Sequence, residues 1–256
     1  MATSVVKQLA LHWESVRTGA VDLVFPPRCV GCQRAGLWLC PPCAQKVEPV
    51  GERICLRCGQ RQSASTPLCL LCEEQERPFS IARAATIHQG PIREGLHQLK
   101  YGGIAELAPV LAPYLVAAFL LDPWPLFYRQ IDGVAPVPIH AERRKQRGYN
   151  QAELLARAFC RQVQLPLQPG WLERTRLTHS QVGLHRHERQ ANVADAFCAT
   201  PAVRNRAILL IDDVCTTGAT LQACAAAALA AGAKAVYAFT LATPAQFGGE
   251  PIDDLY

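Results

Sequence analysis

The sequence predicts an α/β protein in which a small cysteine-rich domain precedes a doubly wound, mainly parallel sheet. After about residue 79, short apolar runs alternate with segments of helical length. Such alternation is typical of a parallel sheet with helices on both faces. Before that residue, C-x-x-C pairs recur among turn-forming residues, a pattern that indicates metal binding. The predicted domains are residues 1–78 and 79–256.

The composition favours a soluble, cytoplasmic protein. Half of the 256 residues are hydrophobic, which is enough for one full-sized domain and a small accessory one. Residues 1–25 mix apolar with charged side chains, so we expect an amphipathic helix there rather than a signal peptide. The most apolar segment, residues 107–121, contains two prolines. It is shorter than the roughly 20 residues of a membrane span, and we interpret it as a core helix.

Four C-x-x-C pairs account for eight of the twelve cysteines. They are Cys29 and Cys32, Cys40 and Cys43, Cys55 and Cys58, and Cys69 and Cys72. Two such pairs complete the tetrahedral shell that zinc prefers, whereas disulfides are disfavoured in the reducing cytosol. We therefore expect a double zinc ribbon with one or two structural zinc ions. The spacing leaves open which pairs share an ion.

The elements of residues 79–256 follow from hydrophobic periodicity. They are a strand or hairpin at 80–90, helices between about 91 and 121, a strand at 131–139, a basic loop, a helix at about 151–162, a long polar loop at about 175–195, a strand at 207–211, a helix at 220–232 and a strand at 235–243. Ligands of parallel sheets lie at the carboxyl ends of the strands. The residues that follow 211 are thus expected at the mouth of a site.

The string IDDVCTTGAT, residues 211–220, joins a strand to a helix through two acids, three threonines and a glycine. Backbone N–H groups at a helix start, hydroxyls and a glycine suit a phosphate. Adjacent carboxylates accept hydrogen bonds from vicinal sugar hydroxyls or hold a metal ion. A plain strand end with a threonine cap is the alternative for the acids alone. A phosphoacceptor receiver domain would need a further aspartate on a later strand, and residues 235–243 contain none.

The complete string resembles the ribose-5-phosphate signature of type I phosphoribosyltransferases. The resemblance implies that Asp212 and Asp213 contact the ribose hydroxyls and belong to the catalytic site. It also implies that a loop holds the 5-phosphate of phosphoribosyl pyrophosphate, which binds together with magnesium. The residues of that loop are Thr216, Thr217, Gly218, Ala219 and Thr220.

The order of segments resembles one branch of that superfamily, the ComF family, also called GntX in some bacteria. The matching parts are the cysteine-rich N-terminus, LKYGG (99–103), the segment 137–156 with its RGYNQ motif, the segment 174–197 and the signature. LKYGG is weak by itself, because a plain turn has the same residues. The resemblance covers nearly the whole chain and implies a role in DNA uptake during natural transformation.

Two further segments are candidates for ligand contact. Departing pyrophosphate is stabilised by metal ions and basic groups, and the predicted basic loop supplies Arg143, Arg144, Lys145 and Arg147, with Gly148 allowing close backbone approach. A solvated basic face is the alternative. The polar segment 174–192 resembles a flexible loop that closes over substrate, and its candidate contacts are Thr178, Gln181, Arg186 and Arg189.

Two functions of different class are consistent with these features. The first is a zinc-containing protein of the phosphoribosyltransferase fold that binds phosphoribosyl pyrophosphate, a nucleotide-like ligand or single-stranded DNA and acts in DNA uptake. The second is a catalytic phosphoribosyltransferase of nucleotide salvage or synthesis, a pentosyl transfer whose acceptor the sequence does not identify. A third, simpler interpretation has the cysteine-rich domain dock another DNA-uptake protein.

Overall fold

A computed structural model describes residues 26–63, 66–121, 123–176, 193 and 195–245. The strands are β1 (Ile81–Ile87), β2 (Gly133–Pro136), β3 (Leu172–Arg174), β4 (Phe197–Ala199), β5 (Ala207–Val214) and β6 (Ala235–Thr243). The α-helices are α1 (Pro41–Ala44), α2 (Leu70–Glu74), α3 (Gly90–Tyr101), α4 (Leu107–Phe119), α5 (Trp124–Phe127), α6 (Ala141–Arg147), α7 (Gln151–Val163) and α8 (Ala219–Ala230). Two 3-10 turns lie at Tyr128–Gln130 and Pro201–Val203.

Four parallel strands in the order β1-β6-β5-β2 form the central sheet. Alternate residues of β5 face opposite sides of it, as the two-residue period of a strand requires. Leu209 and Ile211 pack in the core formed with α3, α4 and α7. Ile208 and Leu210 pack in a second core that contains α8 and the antiparallel pair of β3 with β4. The prediction of an α/β protein with a parallel sheet covered on both faces is confirmed.

The described elements agree with most of the sequence predictions and depart from them in several places, among them the unpredicted helical segment at 124–130. The predicted basic loop contains a seven-residue helix, α6. The pair of β3 with β4, which flanks the predicted polar loop, was not anticipated. The predicted N-terminal helix and most of the polar loop lie outside the described residues.

Helix α4 is the predicted apolar core helix, and it keeps Pro113 inside it. Within the described part of the chain, no single helix combines the length and apolar composition needed to cross a membrane. Helix α4 and the segment Trp124–Gln130 meet those two criteria only when taken together, and they are bent by 85°.

The cysteine-rich segment consists of two similar units. In each unit, a short antiparallel bridge flanks the first C-x-x-C pair, between Arg28 and Ala35 in the first unit and between Ile54 and Arg61 in the second. The first cysteine of the next pair then directly precedes a short helix, α1 or α2. The two units, residues 28–50 and 51–74, are called the first and the second ribbon below.

Both ribbons contact strand β1, which is an edge strand of the central sheet. The backbone N–H of Ala82 donates to the Arg57 carbonyl at 2.7 Å, and that of Ile87 donates to the Glu48 carbonyl at 2.9 Å. These bonds occupy β1 donors that would otherwise be open for pairing with another chain. The ribbons therefore lie directly against the sheet. The predicted domain boundary near residue 79 is a separate matter and stays a prediction.

Candidate functional site

The eight paired cysteines form two groups of four. One group contains Cys29, Cys32, Cys40 and Cys43, and the other contains Cys55, Cys58, Cys69 and Cys72. Within each group all sulfur atoms lie within 4.8 Å of one another. The first pair thus joins the second and the third joins the fourth, which is the simplest of the pairings that the sequence left open.

The sulfur spacing fits zinc. A tetrahedral site with a Zn–S distance of about 2.3 Å separates its sulfur atoms by about 3.8 Å. The Sγ atoms of Cys29 and Cys40 are 3.5 Å apart, and those of Cys58 and Cys69 are 3.7 Å apart. Burial acts to raise the pKa of the Cys29 thiol, but N–H groups, foremost that of Cys40, outweigh burial and lower it to about 6. Closed four-cysteine sites of this kind are structural.

The two adjacent aspartates lie at the carboxyl end of β5, in the middle of the sheet, and both are buried. Asp213 forms an ion pair with the Nζ atom of Lys100, the second-last residue of α3. The Oδ1 atom of Asp212 accepts a hydrogen bond from the backbone N–H of Asp213 at 2.8 Å. Lys100 belongs to the LKYGG segment and was not among the predicted site residues.

Lys100 separates the protonation behaviour of the two buried carboxyls. Burial, reinforced by the charge of Asp213, raises the pKa of Asp212 well above its ordinary value. Burial acts in the same direction on Asp213, but Lys100 outweighs it, so the pKa of Asp213 is lowered. His88 lies close to the ion pair, and burial, reinforced by Lys100, lowers its pKa to about 4. The site thus favours an ionised Asp213, a protonated Asp212 and a neutral His88.

The predicted phosphate loop connects β5 to α8. Gly218 adopts a left-handed conformation, with φ of 75°, directly before α8. The Thr217 hydroxyl accepts a hydrogen bond from the Ala219 N–H at 3.3 Å, and the Thr243 hydroxyl donates to the Cys215 carbonyl at 3.2 Å. The loop is therefore attached to the end of β6, and α8 directs its N-terminal N–H groups towards the loop.

The RGYNQ motif positions the elements that surround the acidic pair. The Asn150 amide accepts from the Ala152 N–H, which caps α7, and donates to the Val137 carbonyl at 2.9 Å. The Tyr149 hydroxyl donates to the Leu99 carbonyl at 2.7 Å, immediately before Lys100. The motif thus links α7, the end of β2 and the end of α3. Its observed contacts are structural.

The predicted basic residues do not share one environment. Arg144 is exposed and forms an ion pair with Glu153 at 3.2 Å, and Lys145 is exposed. The guanidinium of Arg147 lies 5.4 Å from the ring centre of Tyr101, and Gly148 ends α6 in a left-handed conformation. Arg143 is half-buried.

Arg174, on β3, is a second basic residue that the sequence prediction missed. Burial, reinforced by the charge of Arg143, lowers its pKa, whereas Asp212 acts in the opposite direction. Arg174 is therefore a cation on the Asp212 side of the site, and Arg143 and Arg176 lie near it. The candidate contacts of the polar loop, Thr178, Gln181, Arg186 and Arg189, lie outside the described residues.

A cleft separates the phosphate loop from the second ribbon. Cys215, Thr216, Thr217 and Gly218 line one wall. Cys58, Gly59 and Gln60 of the ribbon line the other, and Arg77 and Arg83 also face the cleft. The cleft places the second four-cysteine group beside the predicted phosphate site, a juxtaposition with no signal in the sequence.

Comparison with known proteins identifies relatives over most of the chain. A family model of a double zinc ribbon domain matches residues 20–74. The DNA utilization protein YhgH of Escherichia coli K12 is 28% identical over 223 residues, which cover 86% of this chain and 98% of that protein. Competence protein F of Haemophilus influenzae is 26% identical over 205 residues, with coverages of 77% and 89%. Competence protein ComFC of Bacillus subtilis is 29% identical over 215 residues, with coverages of 79% and 83%.

These matches together support the ComF family for this chain. The resemblance predicted from its sequence motifs is thereby confirmed. The zinc ribbon prediction is confirmed as well, since the family model spans all eight paired cysteines and these form two groups of four. The chain therefore combines structural zinc ribbons with a parallel sheet that carries a buried acidic pair.

The acidic pair is also chemically suited to magnesium. Magnesium takes oxygen ligands and is commonly held by one or two carboxylates together with substrate phosphates. Asp212 and Asp213 offer such oxygens, and the adjoining loop is suited to a phosphate. Because Asp213 contacts Lys100, the phosphates of a bound ligand would have to supply most of the oxygen atoms that coordinate the magnesium ion.

Proposed function

We propose that the chain acts in DNA uptake or utilisation and binds single-stranded DNA, or a ribose phosphate such as phosphoribosyl pyrophosphate, at the end of β5. One observation carries the proposal. The acidic pair, the phosphate loop and a cleft towards the second ribbon occur together at the carboxyl end of the sheet. The names of the relatives, DNA utilization protein and competence protein, support the biological role.

The chemistry of the site supports a sugar-phosphate ligand. A phosphate at the Thr216–Thr220 loop would accept hydrogen bonds from backbone N–H groups and threonine hydroxyls. The sugar hydroxyls would donate to Asp212 and Asp213, and Lys100 would offset the negative charge of the pair. Bound magnesium would neutralise the charge of a pyrophosphate, with Arg174 nearby on the Asp212 side.

The first experiment is calorimetric titration of zinc-loaded protein with phosphoribosyl pyrophosphate and magnesium. The Asp212→Asn, Asp213→Asn double variant removes both charges and keeps the side-chain shape. Glu94→Gln, an exposed change on α3, is the matched control. We expect binding by the wild type and the control and no binding by the double variant. Equal binding by all three proteins would contradict this assignment of the acidic pair.

The second experiment measures single-stranded DNA binding as a function of salt. Contacts to phosphates release counterions, so the affinity should fall steeply as salt rises, with a logarithmic slope of about −0.7 per contact. Zinc-loaded protein that binds no single-stranded DNA at low salt would overturn the DNA part of the proposal.

A catalytic phosphoribosyltransferase is the second candidate function. The observation that favours it is the ion pair of Asp213 with Lys100 beside Asp212, whose pKa is raised by burial, because such divergent carboxyls are common in catalytic sites. An acceptor nitrogen would form a bond to the anomeric carbon as pyrophosphate leaves, and the nitrogen would then lose a proton. Pyrophosphate release in a screen of bases and amines tests this. Release no faster than in the double variant would contradict it.

A further inference from the structure

Tyr101 is an exposed aromatic residue at the edge of the acidic site. It ends α3 and is 58% exposed, whereas the preceding residue, Lys100, is buried and pairs with Asp213. Gly102 and Gly103, which follow, are exposed and have no side chains to cover the ring. Tyrosine is enriched at interfaces because its ring offers a large contact area to a partner. The chain thus directs Lys100 into the site and leaves Tyr101 at its surface.

Two neighbouring side chains hold the Tyr101 ring in place. The guanidinium carbon of Arg147 lies 5.4 Å from the ring centre, within the range of a cation–π attraction. Arg147 in turn donates a hydrogen bond to the Gln151 side chain of α7. The His97 ring, one turn earlier on α3, lies 5.1 Å from the Tyr101 ring. A ring that is already held in this way loses little conformational entropy when a partner binds to it.

Helix α6 supplies further positive charge beside this ring. Arg143, Arg144 and Arg147 lie within about 100° of one another around the helix axis, so they share one face of α6. Arg144 is exposed, and the other two are half-buried. The ion pair of Arg144 with Glu153 is partly exposed, and pairs of this kind contribute little energy. A phosphate is therefore able to compete for Arg144.

An aromatic ring beside guanidinium groups is typical of surfaces that bind single-stranded nucleic acid. The bases stack on the ring, and the cations contact the phosphates. A duplex keeps its base faces stacked inside, and an acidic peptide has no bases. Phosphoribosyl pyrophosphate has no base either, so it makes no use of Tyr101. The combination of ring and cations therefore favours a single strand over these other anionic partners.

We propose that Tyr101, Arg144 and Arg147 form a stacking platform for single-stranded nucleic acid. A base stacks on the Tyr101 ring, and the phosphates on either side of it contact the two arginines. The inference rests on the proposed function and makes it specific, because it assigns to the strand a contact surface outside the acidic pair and the phosphate loop.

The test compares an oligothymidylate with an oligomer of equal length that has no bases. In fluorescence anisotropy with zinc-loaded protein, the wild type should bind the oligothymidylate about fivefold or more tightly than the abasic oligomer. This preference should shrink about fivefold or more in Tyr101→Ala and persist in Tyr101→Trp. Leu126→Ala, an exposed apolar residue of α5, is the control and should keep the preference of the wild type. Zinc content and thermal unfolding verify that each variant is folded.

The outcomes separate the platform from the proposed function. A preference for bases in Tyr101→Ala as large as in the wild type would overturn the inference and leave the proposed DNA binding intact. Competition by polyglutamate as effective as competition by unlabelled oligothymidylate would also overturn it. Absence of any binding of single-stranded DNA by the wild type would instead overturn the DNA part of the proposed function, and the platform with it.

Arg147→Met tests the phosphate contact. Loss of one such contact should reduce the logarithmic salt slope of oligothymidylate binding by about 0.7. Tyr101→Ala removes no charge and should keep the slope of the wild type. Arg129→Met, an exposed change of the same charge, is the matched control and should keep it as well. An unchanged slope in Arg147→Met would overturn the assignment of Arg147 to a phosphate.

Discussion

Lys100 stabilises the buried acidic pair, and its replacement should be costly. Its ammonium is the cation paired with Asp213, and both side chains are less than one tenth exposed, at 8% and 7%. Removal of one partner from a buried ion pair leaves an uncompensated charge and commonly costs about 3–5 kcal/mol. We expect Lys100→Met to lower the free energy of unfolding by about 3 kcal/mol near pH 8. The loss should be smaller near pH 5, where a carboxyl takes up a proton more easily.

Urea denaturation of zinc-loaded protein at both pH values provides the measurement. Arg93→Met, an exposed cation on the same helix, is the control and should leave the stability nearly unchanged. An equal effect of the two substitutions would show that the ion pair contributes nothing to folding.

The raised pKa of Asp212 makes its own contribution to the pH dependence of stability. The folded protein holds a proton there more tightly than the unfolded chain, whose aspartate titrates near pH 4. The contribution of Asp212 to the free energy of unfolding is therefore fully present below about pH 4. It is lost as the pH rises through the pKa that Asp212 has in the folded protein. Asp213 has a lowered pKa, so its stabilising contribution is lost only as the pH falls through that value.

We therefore expect Asp212→Asn to be more stable than the wild type near pH 8, by about 1–2 kcal/mol, with the difference shrinking towards pH 5. The asparagine oxygen can still accept the Asp213 N–H hydrogen bond. Denaturation curves of both proteins over this range give the comparison. A stability difference that stayed constant with pH would contradict the assignment. The same variant should bind ligand less well, since stability and function conflict at such sites.

At the scale of elements, periodic segments were predictable and short ones were not. Helix α7 occupies 151–163, close to the predicted 151–162, because it combines an apolar face with the Asn150 cap. Helix α6 is too short and too polar to show an apolar period, and its ends are fixed by a His140 cap and Gly148. Strands β3 and β4 have three residues each, so two-residue alternation is barely detectable in them.

The residues of the candidate site likewise fall into two kinds, those that the sequence marks and those that only the packing brings together. Asp212, Asp213 and the threonine loop are contiguous, so the local sequence marks them. Lys100 and Arg174 reach the acidic pair from separate elements, and their roles depend on how α3 and β3 pack. The cleft to the second ribbon is also a product of packing. A single sequence carries no direct signal for such contacts.

The second ribbon should hold its own zinc ion independently of the first. Cys69→Ser removes one sulfur from the second four-cysteine group, so the zinc content should fall from two ions per chain to one. Atomic emission spectroscopy after dialysis measures that content. Cys198→Ser, an exposed cysteine outside both groups, should retain two ions. Two tightly bound ions in Cys69→Ser would contradict the ligand assignment.

At the scale of the whole molecule, a close backbone contact joins the second ribbon to the sheet. Gly59 has a φ of 71°, and a Cβ atom on it would lie 2.4 Å from the Ala82 carbonyl oxygen. Gly51 has a similar φ of 68° but open space around it. Gly51→Ala should cost about 1–2 kcal/mol from backbone strain alone. Gly59→Ala should cost about 1–3 kcal/mol more, because the ribbon has to move away from β1.

Thermal unfolding of the two variants distinguishes the steric clash with Ala82, which only Gly59→Ala introduces, from the backbone strain that both variants share. Limited proteolysis should also cleave Gly59→Ala faster between the second ribbon and β1, since the loosened ribbon exposes that connection. Equal stability losses in the two variants would show that the contact between Gly59 and Ala82 is dispensable.

The contact between the ribbons and β1 has a consequence for synthesis on the ribosome. β1 is the first strand of the central sheet to be translated, whereas its partner β6 is the last. At typical translation rates, β6 emerges on the order of 10 s after β1. The ribbons precede both strands, and their carbonyls at Arg57 and Glu48 bond to β1 without any help from β6. A nascent chain supplied with zinc is therefore able to shield one edge of β1 from aggregation while the rest of the sheet is still being made.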